Sequence, residues 1–154
     1  MEVSEKCVNL VKRFEGFVSH SYVCPAGKIT LGYGHCADVH LGDTITEKEA
    51  ENLLKKDLNQ FASKITYSLE QDHITVNQNQ FDALCSFAFN LGYSTLVFST
   101  LWKKLKQGDY AGASAEFPKW VYITKTDPET GERFKIKLKC LEFRRKSEQE
   151  LFNC

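Results

Sequence analysis

Apolar residues recur along the chain at changing periods, and the places where the period changes divide it into elements. Cys7, Leu10, Val11 and Phe14 fall at i, i+3, i+4 and i+7, one face of a helix. Ser4 is a competent N-cap for it, and Glu15–Gly16 marks its end. Ala50, Leu53, Leu54, Asp57/Leu58, Phe61 and Ile65 keep the helical period behind Thr46 and Glu49, which are spaced as a capping box. The stretch "NQNQFDALCSFAFNLG" is apolar nearly all round, through Phe81, Leu84, Cys85, Phe87, Ala88 and Phe89, the pattern of a buried central helix. Two short helices follow, one from Ser99 to the stop at Gly108 and one from Asp109. A last helix carries "CLEFRRKSEQELF".

Residues 17 to 42 have a different texture. Phe17–Tyr22 and Lys28–Tyr33 flank a turn at Pro25–Ala26–Gly27, which predicts a small antiparallel sheet. Gly32 and Gly34 alternate with Leu31 and Tyr33, and glycine in a strand marks close approach of a ligand or backbone. "VYITKTDPETGERFKIKL" alternates about Asp127–Pro128 and Gly131, as in a surface hairpin or long loop. The expectation is a mainly helical α+β protein with one small sheet. At 154 residues it is a single domain spanning 1–154.

Composition adds mostly exclusions. The chain is 42% hydrophobic and 26% charged, with zero net charge, so bulk electrostatics select no partner. Residues 1–75 hold 8 basic against 11 acidic side chains and residues 76–154 hold 12 against 9. The basic excess in "KWVYITKTDPETGERFKIKLKCLEFRRK" is a solvated surface or a face for a polyanion such as a cell wall. Nucleic acid is not expected, since no helix-turn-helix, zinc-finger or aromatic-plus-basic sheet signature occurs. No apolar run is long enough to span a membrane, and the amphipathic N-terminus does not read as a secretory signal. Six cysteines without such a signal are expected mostly as free thiols. His20, His35, His40 and His73 show no ligand spacing, and even His35–Cys36 beside Cys24 is a poor zinc site; no metal or cofactor is expected.

The candidate chemistry starts from Glu15. A carboxylate at the last turn of a helix is disfavoured by the helix dipole, a mild sign of function against the plain alternative of a solvated side chain. Glycoside hydrolysis needs a carboxylic acid to protonate the leaving oxygen and a second group across the scissile bond. Glu15 supplies the first. Cys24 in the turn and Thr30 on the returning strand are placed to face it across a cleft.

The segment "FEGF…YVCPAGKITLGYGH" resembles the catalytic region of the phage-type lysozymes, glycoside hydrolase family 24, whose pattern is Glu, eight residues, Asp, five residues, Thr, then Gly-Tyr-Gly-His. "GDTITEKEAENLL", "QNQFDALCSFAFNLG", "FSTLWKKLKQGDYAGA", "KW" and "RRKSE" follow in the family's order, so the resemblance runs over about 13 to 148. It implies a two-lobed fold around a cleft, with a sheet-bearing lobe over about 15–65 and a helical lobe over about 75–154 plus the N-terminal helix. It implies a muramidase that cuts the β-1,4 bond between N-acetylmuramic acid and N-acetylglucosamine of bacterial peptidoglycan. Glu15 is then the general acid and Thr30 holds the water. Cys24 stands where most of the family has aspartate, and Asp38 and Asp43 lie outside the pattern. By the same resemblance Tyr33, His35, Phe89 and Asn90 are candidate substrate-binding residues, though Tyr33 is either core or cleft wall, packing alone also explains Phe89 and a structural role also suits His35. Arg144 or Arg145 is a candidate partner for an acidic group near the cleft.

Thiol for carboxyl is a chemical change. An ordinary thiol is only a few per cent thiolate at neutral pH, and a nearby Glu15 carboxylate would suppress that further, so Cys24 needs help from the N–H groups of its turn. As thiolate it would deprotonate water or attack the anomeric carbon. Disulfide formation there would block the site reversibly. Two rivals stand beside this reading: a Cys24/His35 peptidase, and a catalytically dead wall-binding relative. The resemblance further implies a monomer made in the host cytoplasm, reaching the wall through a separate membrane-hole protein to lyse the host.

Overall fold

The computed structural model describes all 154 residues. In chain order they form α1 (Glu5–Glu15), β1 (Val18–Val23), β2 (Ile29–Gly32), α2 (Glu47–Gln71), α3 (Gln78–Leu91), α4 (Tyr93–Val97), α5 (Thr100–Lys106), α6 (Tyr110–Glu116), β3 (Tyr122–Thr126), β4 (Arg133–Lys137) and α7 (Lys139–Phe152). A 3₁₀ turn over Phe117–Lys119 leads from α6 towards β3.

Helix α1 starts where the sequence places it. The Ser4 hydroxyl accepts from the Lys6 N–H at 3.2 Å, and Ser4 is itself tied by its amide and hydroxyl to the buried Asp82 carboxylate. Cys7, Val8 and Val11 bury the inner face, and the chain leaves the helix at Gly16. Glu15 is thereby held on the final turn.

The first sheet pairs β1 and β2 antiparallel, with Tyr22 opposite Thr30 and Val23 opposite Ile29. Its turn is closed by the Cys24 N–H to the Lys28 carbonyl and the Gly27 N–H to the Cys24 carbonyl, each 2.8 Å. A second tight turn follows, with Leu31 and His35 exchanging both backbone hydrogen bonds. Two glycines make that turn possible. Gly32 has φ +65°, and an added Cβ would lie 3.0 Å from the Ala50 Cβ; Gly34 has φ +82°, and its Cβ would lie 3.4 Å from Glu15 Oε2. The backbone conformation disfavours a side chain at both, and at Gly32 the space is tight as well. One glycine seats the sheet on α2, the other brings the turn against the carboxyl.

Helix α2, 25 residues long, runs for about 37 Å at 1.5 Å per residue. The capping box expected at its start is altered. Thr46 Oγ1 accepts from the Glu49 N–H at 3.2 Å, but the Glu49 carboxylate takes the Thr46 hydroxyl proton at 2.8 Å instead of its amide. The reciprocal box occurs at α3: the Gln80 N–H donates to Asn77 Oδ1 (2.8 Å) and the Asn77 N–H to Gln80 Oε1 (2.9 Å). Asn77→Ala removes half of it and is expected to cost about 1 kcal/mol, a fall in Tm of roughly 2–4 °C by calorimetry.

Helix α3 is the centre of the helical part. Every residue from Phe81 to Ala88 is buried, with Cys85 among them and Cys7 beside it in the same core. Phe87 stands edge-on to both Phe117 and Trp120, at 5.7 and 5.6 Å between ring centres. Trp120 is thus packed against the core, though partly exposed. The alternating stretch near the C-terminus is a hairpin, β3 against β4 from Tyr122–Lys137 to Thr126–Arg133. The chain therefore has two small sheets where one was expected. The hairpin strands are mostly exposed, so their period carried no burial signal.

Candidate active site

Between the first sheet and the helices lies a cleft of about 510 Å³. Glu15, Gly34, His35, Phe89 and Asn90 line it, together with Lys28, Cys36, Asp57, Gln60 and Phe61. Four of the residues singled out from sequence thus meet here from three separate elements.

Glu15 is partly exposed at the end of α1, and Arg144 from α7 donates Nη1 to its Oε1 at 2.8 Å. The carboxyl thus stands at the negative end of α1 and in an ion pair with a guanidinium. The turn at Gly34 closes over its other oxygen. Arg144 is the expected arginine partner, and it is almost wholly buried.

Cys24 and Thr30 are not among the residues that line the cleft; they flank the β1–β2 turn, and Lys28, which does line the cleft, closes that turn with its carbonyl. Thr30 is buried, its hydroxyl 3.1 Å from the Lys28 carbonyl. The Cys24 thiol is held below the ordinary thiol range. The Lys28 N–H is the main cause and the Thr30 hydroxyl the next; desolvation opposes them, and the Ala26 N–H and the Lys28 charge add smaller contributions. These donors favour the thiolate, as the turn was expected to. Glu15 is not among the main influences on the sulfur.

His35 bridges sheet and helix: its Nδ1 lies 2.7 Å from Asp57 Oδ2 on α2. Phe89 meets Phe61 edge-on at 5.7 Å, making an apolar wall. Asn90 presents its side chain to the cleft while its Oδ1 accepts from Arg145 Nη2 at 2.7 Å. Of the two places open to Tyr33, core and cleft wall, it takes the core. It is 4% exposed, its hydroxyl donates to Glu47 at 3.1 Å, and its ring packs on Phe17 under the Lys12 ammonium. Tyr33 lies in the tight turn after β2, where the period-two alternation of a strand no longer holds, so it and His35 face different ways.

Sequence reasoning missed the support behind these groups. Asp57 stood in the helical stripe of α2 as an unexplained polar residue. Glu148 lies three and four residues from the two arginines, a spacing that signals pairing on one helix face. It is fully buried and accepts from Ser86 Oγ at 2.7 Å. Arg145 is also fully buried, and desolvation pushes its guanidinium down to about 10, still charged at neutral pH. All six cysteines are free thiols, and no group of three or more His, Cys, Asp or Glu is placed to hold a metal.

A small sheet and a helical body meeting at an acid-bearing cleft is a lysozyme-like arrangement. The phage lysozyme family model matches residues 12–148. The endolysin of Acyrthosiphon pisum secondary endosymbiont phage 1 is 46% identical over 120 residues, 78% of this chain and 80% of that protein. The endolysin of Bacillus phage PZA is 42% identical over 123 residues, 78% of this chain and only 46% of its own length. Among solved structures, the muramidase domain of SpmX from Asticaccaulis excentricus superposes with a TM-score of 0.88 at 30% identity, covering 99% of this chain and 98% of that one. The chain belongs to the phage lysozyme family.

Proposed function

We propose that this chain is an endolysin of glycoside hydrolase family 24 that cleaves the β-1,4 bond between N-acetylmuramic acid and N-acetylglucosamine in bacterial peptidoglycan. The observation that carries the reading is the Glu15 carboxyl, held by Arg144 at a cleft that Lys28, from the turn between Cys24 and Thr30, also lines. Glu15 protonates the leaving glycosidic oxygen. Cys24, as thiolate, takes a proton from a water held by the Thr30 hydroxyl, and that water adds to the anomeric carbon. The sulfur returns its proton to solvent and Glu15 recovers one, restoring both groups. Thr30 beside the sulfur gives the water a second anchor, which favours this inverting route over direct attack by sulfur.

The Phe61–Phe89 wall offers an apolar face to a sugar ring, and Asn90, Gln60 and Lys28 offer polar groups to its substituents. His35 orients the sheet through Asp57. No helix is long and apolar enough to cross a membrane, and passage to the wall through a separate membrane-hole protein completes the reading.

Purified peptidoglycan tests this directly. New reducing ends that are muramic acid, with the α-anomer formed first, are the expected result. A β-anomer would move Cys24 to nucleophile. New amino groups without reducing ends would make the protein a peptidase, and binding without turbidity loss at any pH would make it a wall-binding relative.

A further inference from the structure

Behind the cleft, α7 carries a buried chain of charges that the steps above leave unused. Arg144 holds Glu15 with Nη1, and its Nε lies 3.3 Å from Glu148 Oε1. Arg145 Nη2 donates to both Asn90 Oδ1, at 2.7 Å, and Glu148 Oε1, at 3.2 Å. Its Nε makes a further ion contact of 2.9 Å with Glu148 Oε2, while its Nη1 is buried with no hydrogen-bond partner. The chain Glu15–Arg144–Glu148–Arg145–Asn90 begins and ends on residues that line the cleft. Fully buried ion pairs are poor contributors to stability, since apolar replacements usually do as well or better. This one has another use.

We infer that Glu148 is a positioning residue for bond cleavage: it offsets the Arg144 charge so that Glu15 can keep the proton it delivers, and it holds Arg145 on Asn90. The inference rests on Glu15 acting as the general acid. Left alone, a guanidinium at 2.8 Å would favour the carboxylate of Glu15, the wrong state for an acid. Glu148 sits on another edge of the same guanidinium, with opposite sign, and weakens that field.

The groups acting on Glu148 are few. Arg144 and Arg145 come from its own helix and the Ser86 hydroxyl from α3; the Cys7 thiol of α1, which feels its charge, is kept neutral by burial. Desolvation is the largest influence and raises the carboxyl of Glu148 above the usual range, against the downward pull of these partners. Both guanidiniums make ion contacts with it, Arg144 at 3.3 Å and Arg145 at 2.9 Å. Glu15 faces Arg144 from α7, with Lys28 and His35 from the sheet side and Asp57 from α2 around the same cleft.

The test is the titration of the Glu15 side-chain carboxyl by carbon-13 NMR, assigned from the signal lost in Glu15→Gln. Removing the counter-charge leaves Arg144 to favour ionisation, so in Glu148→Gln the Glu15 midpoint falls by about one pH unit. Glu148→Asp, which keeps the charge, returns it to within about 0.3 unit of the wild type. The looser Asn90 appears separately, as a raised KM in Glu148→Gln. If Glu148→Gln does not fold, Arg145→Met/Glu148→Leu removes the pair without stranding a charge, and the midpoint still falls, by less. An unchanged midpoint in whichever of the two folds overturns the inference. The titration needs no substrate, so its outcome is separate from whether peptidoglycan is cut.

Discussion

Cys24→Ser loses peptidoglycan hydrolysis by about 10²–10⁴-fold, the usual worth of a positioned acid–base group, while Cys24→Asp stays within roughly tenfold of the wild type. The serine hydroxyl is nearly isosteric with the thiol but does not ionise in the working range, so it keeps the turn and loses the base. Aspartate restores an ionised acceptor at the same position. The Lys28 and Ala26 N–H groups and the Thr30 hydroxyl that favour the thiolate serve a carboxylate as well. A serine variant that clears turbidity within twofold of the wild type would remove the sulfur from the mechanism.

The pH dependence gives a second reading of the same group. Both wild type and Cys24→Asp share Glu15, so the ratio of their rates cancels its titration and leaves that of the sulfur. That ratio is expected to rise with pH as the thiol ionises and to level off above its pKa. Because that pKa is lowered in the fold, the plateau comes at lower pH than for an ordinary thiol. Cys36, exposed and also in the cleft, and the exposed Cys140 and Cys154 must all be serine in every variant before a thiol reagent is used to read Cys24. Cys7 and Cys85 do not interfere, since burial pushes both thiols far up.

What was legible in the sequence was what repeats locally. The α1 cap, the hairpin around Cys24 and the greasy run of α3 all follow from period, turn residues and composition within a few positions. Glycines 32 and 34 signalled a close approach before any partner was known, and the partners are Ala50 and Glu15. The parts that were not legible join residues distant in sequence. Arg144 meets Glu15 across 129 positions, and Glu148 meets Ser86 across 62. No local period encodes such pairs, so the acid's supporting charges emerge only when α3 and α7 pack. Tyr33 shows the opposite limit: its neighbours suited cleft and core alike, and the turn after β2 faces it inward. The second sheet was legible only as a hairpin or a long loop, because strands exposed on both faces have no buried stripe to decide between the two.

Glu15→Gln carries the largest expected effect, a loss of about 10³-fold or more in kcat, or roughly 4 kcal/mol of transition-state stabilisation. An amide has no acidic proton to give, so the glycosidic oxygen must leave as an alkoxide. The change is close to isosteric, and the glutamine carbonyl can still accept from Arg144 Nη1. Arg144 is not stranded either, because Glu148 remains as a counter-charge 3.3 Å from its Nε. The variant should therefore fold with a Tm near the wild type and still bind peptidoglycan, which separates chemistry from structure. A substrate with a good leaving group, such as a nitrophenyl glycoside of a chitin oligosaccharide, needs less protonation and should recover part of the loss. Full lytic activity in Glu15→Gln, or a loss equal on both substrates in a well-folded variant, would take the general-acid role away from this carboxyl.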